Sequence, residues 1–256
     1  MTFTIENFEF MLLIFVRITG YVFTAPFFSL RNVPMRVKTG LSVFLAAILF
    51  YTVPYAKPEY TGVIGLAVLV IKEALAGAIM GLFANIAYQI LAFAGQMIDT
   101  EIGFSMVNEI DPVTSIQTTI TANLYGYLVL LVMFISNLHH YFLRAIIDSF
   151  QIIEIGKANL NPNLYQLMVG FITDYFIIGF RIVLPIFAAI LVVNAILAIL
   201  AKIAPQMNMF VIGMQLKIFV GLIVLAMIME LIPGVSDFIF NKMKDMLQNS
   251  MQMMRP

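Results

Sequence analysis

Six long apolar runs dominate the chain, and the polar stretches between them are short. A membrane-spanning helix needs about 20 mostly apolar residues. The first run is Phe8–Leu30, with Pro26 near its end, and the second is Thr39–Ala56, closed by Pro54 and Pro58. The third, Thr61–Met97, covers 37 residues and holds the neighbours Lys72 and Glu73. As one helix it would be about 55 Å long against a hydrocarbon core of about 30 Å. It is therefore expected to protrude, kink or fold as a hairpin, with Gly77 and Gly81 as candidate breaks. A polar stretch follows from Asp99 to Thr121, with four acidic residues, no basic ones, Gly103 and Pro112. The fourth run is Ala122–Ser136, and a mixed segment continues to a turn signal at Asn161-Pro162-Asn163. The fifth, Leu164–Ala201, holds Asp174, Arg181 and Pro185. After Pro205 comes the sixth, Phe210–Ile232, ended by Pro233-Gly234 and followed by a polar, Met-rich tail. The pattern predicts an all-α polytopic membrane protein. With no long polar block to divide it, the chain reads as one domain over residues 1–256. Both overlong runs precede a polar break and a shorter run, which fits a weak repeat of helical hairpins and equally fits the ordinary alternation of any polytopic protein.

Composition agrees. The chain has 256 residues, 62% of them hydrophobic and 11% charged. Soluble domains are about 45–50% apolar and about 25% charged, so water is not the only solvent here. Fourteen basic and fourteen acidic residues leave no basic excess, which excludes a nucleic-acid-binding module. Twenty-three Phe and ten Tyr exclude disorder. Without Cys there are no disulfides, thiol nucleophiles or Fe–S sites. Glu6 and Glu9 precede the first run and Arg17 interrupts it, unlike the basic opening of a secretory signal, so this run is expected in the mature protein. Orientation stays open. The basic clusters Arg31, Arg36, Lys38 and Lys242, Lys244, Arg255 fall on opposite faces after six simple spans, and on one face after an odd number. Some runs could instead contact other subunits.

Charges inside apolar runs are costly and call for partners. Lys72 and Glu73 point about 100° apart on a helix and cannot face one another, so each needs a partner elsewhere. Asp174 and Arg181 share a face two turns apart, and Arg17 stands alone. Inter-helix or inter-subunit ion pairing is the favoured reading over a proton path, because a carrier concentrates carboxylates at the midplane. His139-His140 lacks the i, i+4 spacing of helical metal ligands, so capping or interface packing is expected. There is no G-x-S-x-G, Walker A or H-E-x-x-H motif; Ser105 and Ser115 beside carboxylates fit turns and caps. The 18 Met residues read singly as filler, although Met207, Met209 and Met214 beside a break would also suit a deformable seal. The stretch Gly103, Phe104, Ser105, Met106, Val107, Asn108, Glu109, Ile110, Asp111, Pro112 is polar and glycine-bearing between apolar segments. It fits a plug or constriction and, on composition alone, equally an exposed loop.

Several short strings, in order and nearly end to end, resemble the FliR family of type III secretion export apparatus proteins, called SctT in injectisomes. They are Arg17, Gly20, Pro26 and Val33-Pro34-Met35-Arg36-Val37-Lys38; then Ala94-Gly95-Gln96-Met97-Ile98-Asp99, Gly103-Phe104, Asp111-Pro112, Asn137-Leu138-His139-His140 and Ser149-Phe150. The last is Ala204-Pro205-Gln206-Met207-Asn208-Met209-Phe210, with Lys217 and Gly221 beyond it. Leu138 and Gln215 depart from the family's usual Gly and Pro.

The resemblance implies a FliP-like part over about residues 1–163, a FliQ-like helical hairpin over about 164–232, and a tail. It implies one subunit of a helical, hetero-oligomeric export gate in the bacterial inner membrane at the flagellar basal body. FliP-, FliQ- and FlhB-type partners, exported unfolded proteins and membrane lipid would be its contacts. No cofactor and no enzymatic activity are implied. The loop matching Gly103–Thr114 would plug the pore, with Phe104, Met106 and Val107 packing in the lumen. A flagellar system is preferred over an injectisome. The rival readings are a stand-alone secondary transporter or ion channel, built on helices broken at Gly77 and Gly81 or at Pro185 and Asn194, and an intramembrane hydrolase using His139 or Ser105.

Overall fold

The computed structural model describes residues 5–30, 32–55, 57–104 and 119–256, and every regular element in them is helical. The helices are α1 (Ile5–Thr24), α2 (Met35–Thr52), α3 (Gly62–Ile102), α4 (Ile120–Ile135), α5 (Leu138–Ile152), α6 (Asn163–Ile203), α7 (Met209–Ile228) and α8 (Ile232–Met253). Five helical stretches are long and apolar enough to cross a membrane, or up to six if the broken pair α4–α5 is one span. The chain is thus an all-α polytopic membrane protein.

Helix α3 is one unbroken helix of 41 residues. Of the three alternatives the helix takes the unbroken one, and the candidate breaks Gly77 and Gly81 serve close packing instead. A Cβ on Gly77 would run into the backbone carbonyl oxygen of Arg17, and one on Gly81 into the Thr24 hydroxyl. Gly77 and Gly81 form a G-x-x-x-G pair, the spacing that lets two helix backbones approach where no water drives association. Helix α6 also spans 41 residues and absorbs Pro185 without interruption. The mixed segment after Ser136 is helical as well, beginning after Asn137 in the left-handed conformation, φ 56°. Pro233-Gly234 stands in the first turn of a further helix, and the polar, Met-rich tail is helical. Proline is tolerated in a first helical turn, where its missing N–H has no partner to lose, and α8 starts there.

The chain divides into two compact units. The first comprises residues 1–88, 134–172 and 239–256. Its core brings together Leu13, Ile14 and Ile18 of α1, Met80 and Ala84 of α3, and Phe142 and Ile146 of α5. Met243, Met246 and Met254 of the C-terminal segment are fully buried, so Met-rich composition there reflects core filling. The Asn159 N–H donates to the Met254 carbonyl at 3.0 Å, tying the chain end down.

The second unit comprises residues 89–133 and 173–238. Phe93 sits against Gly179, its ring 5.3 Å from that of Phe176 and 5.8 Å from that of Phe180. Gly221 of α7 packs on Ile102, and Gly213 lies against Leu197 across the α6–α7 turn.

Candidate functional site

The first node is a buried ion pair. Arg17 on α1 and Glu73 on α3 are both wholly inaccessible, 56 residues apart in sequence. Arg17 Nε donates to Glu73 Oε2 at 2.5 Å, and Nη2 donates to Oε1 at 3.0 Å. The remaining guanidinium protons go to backbone. Nη1 reaches the carbonyls of Ser149 (3.2 Å) and Ile153 (2.9 Å), and Nη2 that of Glu154 (3.4 Å). A guanidinium has five N–H donors in a fixed fork, and here each has an acceptor. The carbonyls belong to the C-terminal end of α5, where the helix dipole favours a cation. The Phe150 ring covers the guanidinium at 4.4 Å, and Glu73 Oε1 accepts the Gly156 N–H at 2.7 Å. Arg17 and Glu73 thus lock α1, α3 and the end of α5 through a neutral, fully bonded cluster. Sequence reading missed the roles of Ser149, Phe150 and Gly156; only Gly156, now seen at φ 82°, carried a local turn signal.

The second node lies at the base of the candidate plug. Asp99, in the last turn of α3, is fully buried. Its two carboxylate oxygens accept the Thr121 N–H at 3.2 and 3.1 Å, and Oδ1 also takes the Thr121 hydroxyl proton. This caps the first turn of α4, where N–H groups have no helical acceptor. Gly95, one turn earlier, lets the Ala122 backbone lie directly on α3. Gly103 leaves α3 with φ 98°, a conformation open to glycine. Of the residues expected to plug a pore, only Gly103 and Phe104 are described; Ser105, Met106, Val107, Asn108, Glu109, Asp111 and Pro112 lie outside the described residues. Thr119 Oγ1 and the Tyr125 hydroxyl are buried with no hydrogen-bond partner among the described residues.

The other singled-out residues are dispersed. Lys72 is half-buried, Arg181 is exposed, and neither makes an ion pair among the described residues; Asp174 is half-buried. The His139 ring stacks on Phe27 at 6.0 Å and lies 4.0 Å from that of exposed His140. Among the described residues no group of three or more His, Asp or Glu could hold a metal ion. Pro26 lies in the turn after α1, and Pro34 sets the start of α2, its carbonyl accepting the Val37 N–H at 2.9 Å. Pro205 and Gln206 form the exposed α6–α7 turn, and Asn208 caps α7 through Oδ1, accepting the N–H groups of Phe210 and Val211.

Outside the spans, the Tyr60 hydroxyl donates to Glu9 at 2.6 Å and Lys57 pairs with Glu6 at 2.7 Å. The hydrogen bond to Glu9, then burial, raises the Tyr60 pKa, while the bond to Glu6 and its charge raise that of Lys57.

This architecture, long apolar helices locked by buried charge and glycine contacts, defines an integral membrane protein built to pack helices closely. The family described as "Bacterial export proteins, family 1" matches residues 8–243, and the chain belongs to it. It is similar to the flagellar biosynthetic protein FliR of Bacillus subtilis, 34% identical over 96% of this chain and 95% of that protein. The FliR of Escherichia coli is 28% identical over 91% of this chain and 88% of its own, and that of Aquifex aeolicus 26% identical over 87% and 86%.

Proposed function

We propose that the chain is a non-enzymatic component of flagellar protein export, forming part of the channel and supplying the loop after Gly103 as its closure. The supporting observation is the junction at Asp99. A loop that must open without dragging the walls with it needs fixed roots. Here the chain leaves α3 at Gly103, and Thr121 at the start of α4 is fastened to Asp99 in the last turn of α3. In this reading the closure can open without moving α3 or α4. FliP-, FliQ- and FlhB-type subunits are the partners in this reading, within the inner membrane at the flagellar basal body, and unfolded export substrates are the cargo. The division into a FliP-like part and a FliQ-like hairpin belongs to the same proposal. Energy comes from partners, since no nucleotide-binding motif exists in the sequence.

A solute transporter would place discontinuous helices at a midplane site. Helix α3 runs through Gly77 and Gly81, and α6 through Pro185 and Asn194, without a break. That weighs against transport by the chain alone.

The test is deletion of residues 104–110 in an otherwise intact export apparatus. The expected result is ion leakage across the membrane and altered export. Unchanged leakage and unchanged export would remove the closure role.

A further inference from the structure

Helix α2 begins without a side-chain cap. Pro34 stands at its N-cap, and its carbonyl accepts the N–H groups of Val37 and Lys38 at 2.9 and 3.3 Å. The N–H groups of Met35 and Arg36 have no acceptor among the described residues. Free N–H groups at a helix start, with the positive end of the dipole behind them, favour an anion.

A second, independent observation comes from Lys38. It is 8% exposed, and its ammonium makes no ion pair among the described residues. What it does meet is the Phe23 ring of α1, 6.0 Å from Nζ to the centroid. Helical side chains lean toward the N-terminus of their own helix, so Lys38 reaches back over the turn that holds the free N–H groups. Arg36, in that turn, is exposed and also without an ion pair among the described residues. The sequence has no Asp or Glu between residues 10 and 58, so no acidic neighbour along the chain neutralises these cations.

Between the two cations lies Val37, about 100° around the helix from each. Val37, Phe44 and Ile48 are all exposed, and their spacing of seven and four residues makes them one apolar strip leading away from the charged end. A soluble anion would use only the charged end. A ligand with a phosphate at one end and hydrocarbon at the other fits both halves.

We infer that the start of α2 is a binding site for an anionic phospholipid. Its phosphate is held by the Met35 and Arg36 N–H groups, the Lys38 ammonium and the Arg36 guanidinium, and an acyl chain lies along Val37 and Phe44. The several donors suit the oxygens of a phosphate. The site stands apart from the closure reading and does not depend on it.

The chain has no Trp, so Phe44→Trp gives the full-length protein a single fluorophore on the strip and leaves the charged end intact. The protein is reconstituted in phosphatidylcholine vesicles containing phosphatidylglycerol, with bromine on the acyl chains of one lipid or the other as quencher. Phosphatidylglycerol should be preferred at the Trp by about tenfold, and Lys38→Gln or Arg36→Gln should each cut this to about twofold. Lys57→Gln, whose lysine pairs with Glu6, should leave it unchanged. Inorganic phosphate, compared with chloride at equal ionic strength, should reverse part of the preferential quenching. Equal quenching by the two lipids would overturn the inference, and binding of inorganic phosphate without a lipid preference would assign the site to a soluble phosphate instead. A preference that survives both substitutions would overturn it too, by placing the lipid elsewhere on the chain. Should Lys38→Gln fail to fold, exposed Arg36→Gln and the preference of the unsubstituted site decide.

Discussion

Asp99 and Thr121 close a loop between them: one buried carboxylate takes both the N–H and the hydroxyl proton of a residue 22 positions later. The carboxylate acts as the N-terminal cap of a helix it does not belong to. Asp99→Ala would strip the cap and leave a buried N–H and hydroxyl unpaired, at a cost of about 1–3 kcal/mol. Thr121→Ala removes only the hydroxyl and should cost about 1 kcal/mol. Amide hydrogen exchange of the first turn of α4 in the detergent-solubilised chain reads both. Exchange there unchanged by Asp99→Ala would show that the junction does not hold the loop's root.

The existence and order of the membrane helices were legible because apolar runs of this length have few other solutions. What glycine and proline do was less legible, since in water both interrupt helices, which makes Gly77 and Gly81 candidate breaks and Pro233-Gly234 the end of a run. Inside α3 the same glycines instead admit Arg17 and Thr24 of α1, and at the start of α8 the proline loses no hydrogen bond. Glu73 could be seen to need a distant partner, and Arg17 looked isolated, but no local pattern links residues 56 apart. The backbone acceptors at the end of α5 were invisible for the same reason, since every chain has carbonyls everywhere. Asp99 stands in a string that resembles the family, but its role as a cap depends on α4 beginning at Ile120.

The glycine contact gives a steric prediction with its own control. A methyl group at Gly77 would meet the backbone of Arg17 and Tyr21, which cannot rotate away as a side chain can. Gly77→Ala should therefore separate α1 from α3 and destabilise the chain by about 1–3 kcal/mol. Gly40, on α2, has nothing within 4 Å of the same hypothetical atom among the described residues. Gly40→Ala should leave stability unchanged or raise it by up to about 1 kcal/mol, through helix propensity alone. Thermal unfolding of the two variants in one detergent compares them. Equal midpoints would mean that the α1–α3 approach is not held by Gly77.

The contacts outside the membrane give a pH prediction. Tyr60 donates to Glu9, which favours the neutral phenol and raises its pKa above the ordinary value of about 10. A group whose folded pKa is raised contributes stability that is complete below the unfolded pKa and is lost as pH rises through the folded one. The tether should therefore be intact at neutral pH and loosen only above about pH 10. Lys57 is shifted in the same direction by Glu6, so its pair fails in the same alkaline window. The ultraviolet titration of the chain minus that of Tyr60→Phe isolates this phenol. A difference curve centred at or below the value for free tyrosine would contradict the bond to Glu9.

The Arg17–Glu73 pair should show the asymmetry of buried charges. Taking two ions out of water is expensive, and their attraction repays it only when the remaining protons and lone pairs are also bonded. Here they are: the guanidinium protons all have acceptors, and Glu73 takes a further N–H from Gly156. Glu73→Gln removes the counter-charge while leaving Arg17 buried at full charge, an effect of about 3–5 kcal/mol in water-soluble proteins. Arg17→Met leaves the opposite ion uncompensated and also strips the end of α5 of its capping donors. The double variant Arg17→Met, Glu73→Met buries no charge, so its loss should be clearly smaller than the sum of the single losses, with a coupling of about 1–3 kcal/mol. It should not return to the wild-type level, because the carbonyls of Ser149 and Ile153 remain without the donors that Arg17 supplied. Unfolding midpoints of the four proteins in one detergent give the cycle. Additive losses would mean that the two charges are solvated independently, and the lock between α1, α3 and α5 would have to be sought in packing alone.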